Sequence, residues 1–506
     1  MGFEFISRKG YGKNALQRDD RTLATLETAR KAMRSGIVPK RASRSTRPAR
    51  EMRPVRGETE RPPRRPVRLH RSGWIAAALC GLAAFCATSP EIAVLAQKPE
   101  AIRVVQPVPG PLSADDCLAS GQYLEIERYV GTLPSAAVEK SPSLLALYGK
   151  ALLARGDFHA AWPVLERARS LESRAARRGE IAWTLSQGAI LWNDFASAHD
   201  YAEAAVQDGY GLVPGFLRFL AAMRDVDVYA GPPVGETHTA TFDMRTFNLI
   251  RVPVRVNGRE SAAILDSGAA YTIVTESFAQ EARVRRIPDS RASGRGLHKK
   301  EFPVTFGVIA VLDFAGFSVR DVPVMVMPDE ALAFETSRGP FPVPAVLGLH
   351  LLKEFSTEID YRSRRLELTR ADFRLPKREN NQNLFFSRGR LFVRASINRG
   401  GFYAFLLDTG SEPTLMTSPG LARARLPASN KLFPKRVHGI GKTHVEWGLI
   451  REVSIGIGEF AVRFRDLAVK DDEDAFESGI VGTSYLQNFR VRLDFARMVL
   501  TLERES

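Results

Sequence analysis

Apolar residues recur with two different periods along this chain, and the change of period divides it. Between about Leu112 and Gly231 they fall three and four positions apart in short amphipathic stretches separated by turn signals, which predicts helices. The clearest unit runs from Ser141 to Trp162: Ser141 is placed to cap a helix with Pro142 at its first position, Gly156 ends it, and Asp157 caps the next. The turn Gly156-Asp157-Phe158 has counterparts in Asn193-Asp194-Phe195, 37 residues on, and in Gly121-Gln122-Tyr123, 35 residues before. Pro163 lies inside the predicted second helix of the unit, where a proline costs ~3 kcal/mol or kinks the axis. After Thr237 the period becomes two, which predicts strands.

The strand region contains itself twice. Apolar residues lead into Leu265-Asp266-Ser267-Gly268 and again into Leu407-Asp408-Thr409-Gly410. Downstream, Val346-Leu347-Gly348, Phe355 and Asp360 match Ile480-Val481-Gly482, Phe489 and Asp494 at a constant offset of 134, whereas Asp266 and Asp408 are 142 apart. One lobe is thus a duplicate of the other, with a length difference between the landmarks. The predicted class is α+β multidomain: helical repeats over 110–231, lobe one over 242–374, a polar linker over 375–383 and lobe two over 384–504.

Charge changes the reading of the N-terminal part only. The net charge of +15 would suggest nucleic acid, but residues 1–72 hold 20 Lys/Arg against 7 Asp/Glu, and from Gln97 onward 52 basic residues face 49 acidic ones. No domain-wide basic surface follows, so no nucleic-acid partner is expected. Residues 1–72 read as a basic disordered tail. Residues 73–96 contain a 14-residue apolar run from Trp74 to Ala87, with Val94-Leu95-Ala96 as a cleavage signal, and read as a signal peptide. The alternative is an uncleaved anchor over 74–96 that tethers the chain in the inner membrane; either way the rest is expected outside the cytoplasm, periplasmic or secreted. Lys supplies only 15 of the 72 basic residues, a bias that suggests GC-rich bacterial coding. Cys117 is the only thiol after residue 86, so no internal disulfide is expected there.

The candidate chemistry is a pair of acids. An apolar strand running into Asp-Ser/Thr-Gly holds an acid on a tight loop at the bottom of a cleft: Gly268 and Gly410 allow the turn and close backbone approach, and the hydroxyls of Ser267 and Thr409 are able to bond the opposite lobe. Two such loops face to face put Asp266 and Asp408 within reach of one water. The pair then shares a proton over a broad acidic range, one carboxylate activating water and the other polarising a carbonyl.

These motifs resemble known families. The helical unit resembles a tetratricopeptide repeat, whose usual period is ~34 residues, and implies a surface that recruits substrate or a protein partner. Leu-Asp266-Ser-Gly-Ala and Leu-Asp408-Thr-Gly-Ser, each followed by an apolar-Gly element and an Asp-bearing strand, resemble the bacterial retropepsin-like aspartic proteases across 242–504. The resemblance implies β lobes paired about a two-fold axis, a peptide or protein substrate, catalytic Asp266 and Asp408, and flaps around Gly294 and Gly296 and around Gly439 and Gly441. It also implies a carboxylate-bonding hydroxyl at Ser411, where lobe one has Ala269. The two lobes are expected to pair within one chain, since each has diverged from the other. The expected activity is endopeptidase hydrolysis without cofactor or metal; the alternative is a catalytically inactive, protease-like adaptor. His438 and His444 lack companions at metal spacing, Asp471 to Asp474 lacks the glycine of a calcium loop, and Asp360 and Asp494 read as structural.

Overall fold

The computed structural model describes residues 93–96, 117, 121–245, 248–295, 301–336, 339–374, 381–427, 432–435, 445–473 and 475–504. The basic tail, the apolar run, the flap glycines Gly296, Gly439 and Gly441, His438, His444 and the first six linker residues lie outside these.

Among the described residues seven helices precede the β lobes: α1 Tyr123–Gly131, α2 Ser135–Val138, α3 Pro142–Ala154, α4 Phe158–Leu171, α5 Ala175–Leu191, α6 Phe195–Gln207 and α7 Pro214–Met223. The predicted caps are formed. The hydroxyl of Ser141 accepts from Leu144 N–H at 3.3 Å and the carboxylate of Asp157 from Ala160 N–H at 3.2 Å; at the recurring turn Asp194, not singled out as a cap, accepts from Ser197 N–H at 3.0 Å. α4 continues through Pro163. Its buried face, Phe158, Ala161, Leu165 and Ala168, is continuous on either side of the proline, so packing outweighs the one lost backbone bond. Against α4, α3 packs so closely that a Cβ on Gly149 would lie 2.5 Å from Leu165 Cγ. None of the described helices is long and apolar enough to cross a membrane.

Two β lobes follow. In lobe one, β1 Arg251–Val256 pairs with β2 Arg259–Asp266, which ends on the first acid. The strand after the loop is β3 Thr272–Thr275, and β4 Ala345–Gly348 lies between β2 and β3, parallel to the one and antiparallel to the other, with Gly348 opposite Asp266. Lobe two repeats this with β5 Phe402–Leu407, β6 Leu415–Thr417 and β7 Gly479–Val481, Val481 standing opposite Leu407. The apolar-Gly elements seen in the sequence are therefore the strands that hold each acidic loop from beneath.

A five-stranded sheet joins the lobes, in the order Thr237–Thr241, Arg365–Arg370, Phe355–Asp360, Arg490–Asp494, Val499–Glu503. Phe355–Asp360 of lobe one and Arg490–Asp494 of lobe two pair antiparallel at its middle, Ile359 opposite Val491. Asp360 accepts from the backbone of Ser363 and Asp494 from that of Arg497, the structural use expected of them. The last linker residues are built into this junction: Asn383 exchanges two hydrogen bonds with the backbone of Leu500, at 2.7 and 2.9 Å.

The long strand Phe317–Met327 of lobe one and its counterpart Phe460–Lys470 of lobe two each have an edge that the rest of their own lobe leaves unpaired at equivalent positions. In lobe one it is covered at Arg320 by Ala230, and in lobe two at Arg463 by the short strand Ala93–Ala96. Different segments of chain thus close the same edge, which left open would template association.

Candidate active site

Both acids sit where an apolar strand turns. Ala263, Ile264 and Leu265 are buried ahead of Asp266, as are Phe405, Leu406 and Leu407 ahead of Asp408, so neither strand can shift without exposing core. Asp266 is 3% and Asp408 8% exposed. The two loops are stitched across the lobe boundary by four hydrogen bonds. Ser267 N–H donates to Thr409 Oγ1 at 3.0 Å and Thr409 N–H to Ser267 Oγ at 3.1 Å, while the Ser267 and Thr409 hydroxyls donate to the carbonyls of Leu407 and Leu265, both at 2.8 Å. Each hydroxyl is donor and acceptor at once, and all four bonds are buried.

The stitching brings each carboxylate over the opposite glycine. A Cβ on Gly268 would lie 2.4 Å from Asp408 Cγ, and one on Gly410 would lie 2.3 Å from Asp266 Cγ. Glycine is needed here because the space of its side chain belongs to the other lobe's acid. Burial and the neighbouring charge of Asp266 push the Asp408 carboxyl up to about 7.

Backbone donors separate the two acids. Asp266 Oδ1 accepts from Gly268 N–H at 2.8 Å and Ala269 N–H at 3.0 Å, whereas Asp408 Oδ1 accepts from Gly410 N–H at 3.0 Å. The carboxyl with fewer donors is the one whose charge is least supported. Ser411 does not take the part its resemblance implied: its hydroxyl donates to the Pro413 carbonyl at 3.1 Å rather than to Asp408, because the Glu412-Pro413 turn presents that carbonyl to it. Glu412 instead accepts from Asn248 of lobe one at 3.0 Å, a further link between lobes. Gly294 lies in the strand Ala292–Arg295, paired with Phe302 of the strand Glu301–Phe314.

A buried group missed in the sequence lies behind the first loop. His350 follows Gly348, its backbone N–H donates to the Ala270 carbonyl at 3.0 Å, and its ring meets that of Tyr271 edge-on at 4.6 Å. Neither ring nitrogen has a hydrogen-bond partner among the described residues, and burial lowers the imidazole to about 3. Its apolar neighbours in Leu-Gly-Leu-His-Leu-Leu were the available sign of burial.

Among the described residues His199, Asp200 and Glu203 on α6 bring three donor atoms together. Arg224 bonds both His199 Nδ1 and Asp200, so a guanidinium already supplies the positive charge there.

The model of the aspartyl protease family matches residues 252–351 and 393–485. Each segment spans one acidic loop and the strand beneath it. The two lobes carry the aspartyl protease fold. Among solved structures, the aspartic proteinase from Irpex lacteus is similar at 13% identity over 54% of this chain and 98% of that one, with a TM-score of 0.33. A retropepsin-like aspartic protease from Rickettsia conorii is similar at 16% identity over 28% of this chain and 96% of its own, with a TM-score of 0.19. No curated protein matches the sequence.

Proposed function

We propose that the protein is an aspartic endopeptidase that hydrolyses peptide bonds with a water held between Asp266 and Asp408, acting outside the cytoplasm on extended polypeptide. The observation that carries this reading is the reciprocal approach of the two acids, each occupying the space a side chain would take at the other lobe's glycine. In mildly acidic solution Asp408 keeps its proton. It then donates that proton to the scissile carbonyl oxygen, while Asp266 takes a proton from the water whose oxygen attacks the carbonyl carbon. Collapse of the resulting gem-diol passes a proton to the leaving nitrogen, and the pair returns to its starting state. No bond to the enzyme forms, and none needs a cofactor.

The test is incubation of the full chain with an unfolded protein between pH 4 and pH 7.5. Cleavage should fall ~10³-fold or more on either Asp266→Asn or Asp408→Asn, and a pepstatin-type transition-state mimic should compete. Binding of polypeptide that is equal in the wild type and both variants, with turnover by none, would favour the inactive adaptor instead.

A further inference from the structure

The recurring turn of the helical region has a use inside the molecule. Its three copies share a left-handed residue followed two positions later by an aromatic one: Gly121 (φ +66°) with Tyr123, Gly156 (φ +78°) with Phe158, and Asn193 (φ +67°) with Phe195. All three point at the β lobes, and each meets a different part of them.

The first copy grips lobe two. A Cβ on Gly121 would lie 3.4 Å from both Arg394 and the Tyr403 backbone, and the Tyr123 hydroxyl donates to the Leu384 carbonyl at 3.1 Å. Arg394 then pairs with Glu125 of α1 at 3.1 Å. The second copy sits on the lobe-two hairpin of the joining sheet: Gly156 abuts Met498, where a Cβ would lie 3.2 Å from Cγ, and Phe158 packs against Phe386 with ring centroids 6.4 Å apart. The third copy grips lobe one. Asn193 Nδ2 donates to Glu354 at 2.8 Å and Asn193 Oδ1 accepts from Lys353 at 2.8 Å, both residues buried at the start of the lobe-one strand of that sheet. Phe195 leads on to Phe219 of α7, which stacks on Phe306 at 4.4 Å and meets Tyr271, five residues beyond Asp266, at 5.7 Å.

We infer that the helical region is an intramolecular brace, its periodic turn docking in succession on lobe two, the joining sheet and lobe one, and so holding the two acidic loops in register. The partner fitted by this edge of the repeats is the chain's own protease unit, and recruitment of another protein would have to use a different face. Asn193 and Tyr123 are on this account positioning residues. The inference rests on the protease reading for one of its two readouts only.

The test uses the full chain carrying Asn193→Gly, which keeps the left-handed turn but removes both side-chain bonds, and separately Tyr123→Phe, which removes the bond to Leu384. Arg177→Ala, on an exposed face of α5, is the control. Hydrogen exchange of the Ser267 and Thr409 amides, the two that donate across the lobe boundary, should quicken ~10-fold in Asn193→Gly, less in Tyr123→Phe, and not at all in the control. The turnover number should fall by a similar factor with KM unchanged. Unchanged exchange at those two amides, with faster exchange at the 190–195 turn, would show the contacts to be packing alone and overturn the brace. A wild type that cleaves nothing would sink the protease reading, while the exchange result would still decide the brace.

Discussion

Lobe one and lobe two are built from one plan, and around the acids they differ in the turn that follows each acid and in the short helix that follows the glycine beneath it. In both, an apolar strand runs into the loop and a parallel strand leading to a glycine, Gly348 or Gly482, lies beneath it. In both, the first helical residue after that glycine donates to the loop: Leu349 N–H to the Ala269 carbonyl at 2.7 Å, Thr483 N–H to that of Ser411 at 2.8 Å. One residue on, the lobes part. His350 of lobe one is buried with neither ring nitrogen bonded among the described residues, whereas its counterpart Ser484 accepts from Thr414 N–H at 2.8 Å and donates to Thr414 Oγ1 at 3.1 Å. At the acids, two backbone donors serve Asp266 where one serves Asp408. Duplication supplied two equal carboxylates, and the turns that follow them now give them unequal numbers of backbone donors.

The largest effect should come from the feature the lobes share. Gly268→Ala and Gly410→Ala each force a Cβ to within 2.4 and 2.3 Å of the opposite carboxylate carbon. The acids cannot retreat, because the four cross-lobe bonds hold both loops. Each variant should lose ~3 kcal/mol or more in denaturant unfolding and show no cleavage, with equal severity in the two lobes. A folded, active Gly410→Ala chain would mean that the acids do not meet as described.

The next tests the asymmetry. A carboxyl raised from its ordinary value to about 7 binds its proton more tightly in the folded state. Its contribution to stability is therefore complete below pH ~4 and is lost as pH climbs through 7. Asp408→Asn removes that loss, so the variant should gain on the order of 1 to 3 kcal/mol relative to wild type at pH 7.5 compared with pH 4. Melts at the two pH values measure it, and no differential gain would refute a shared proton. The wild-type pH profile should keep its upper limb near 7 rather than deep in the acid range.

The duplication, the acids, the glycines and the loop hydroxyls were all legible in the sequence, because a loop that must admit a second backbone imposes the same few residues twice. The constant offset of 134 located the strands beneath the loops for the same reason. Contacts between distant segments were not legible: Asn193 reads as a turn residue, and only the fold brings it to Lys353 and Glu354. Ser411 shows the converse, since its position matched the resemblance while Pro413, two residues on, supplied a nearer acceptor. Pro163 does not end its helix, because Phe158, Ala161, Leu165 and Ala168, spaced three and four apart in the sequence, are buried together on either side of it.

His350 should make lobe one the acid-labile half. An imidazole lowered from its ordinary 6.5 to about 3 is charged in the unfolded chain but neutral in the fold between those values. Stability from this group is present above pH ~6.5 and is lost progressively as pH falls toward 3. His350→Leu fills a similar volume and strands no partner, so it should raise the melting temperature more at pH 4.5 than at pH 7.5, by on the order of 1 to 2 kcal/mol in the difference. Equal shifts at both values would mean that the ring finds a partner in solution.

The smallest effect belongs to the turn that breaks the symmetry. Were Ser411 supporting the Asp408 charge, removing its hydroxyl would raise that carboxyl further and move the upper limb of the activity profile. The hydroxyl donates instead to the Pro413 carbonyl from a half-buried position, a neutral bond whose net worth is ~0.5 to 1 kcal/mol. Ser411→Ala should therefore cost about that much in unfolding free energy and leave the limb within about 0.3 pH units of wild type, since ~0.4 kcal/mol of charge stabilisation corresponds to that shift. Titrating cleavage by wild type and Ser411→Ala side by side decides the matter. A limb displaced by a full unit would return Ser411 to the carboxylate and would make the two acidic loops differ by the identity of a hydroxyl donor rather than by the number of backbone donors.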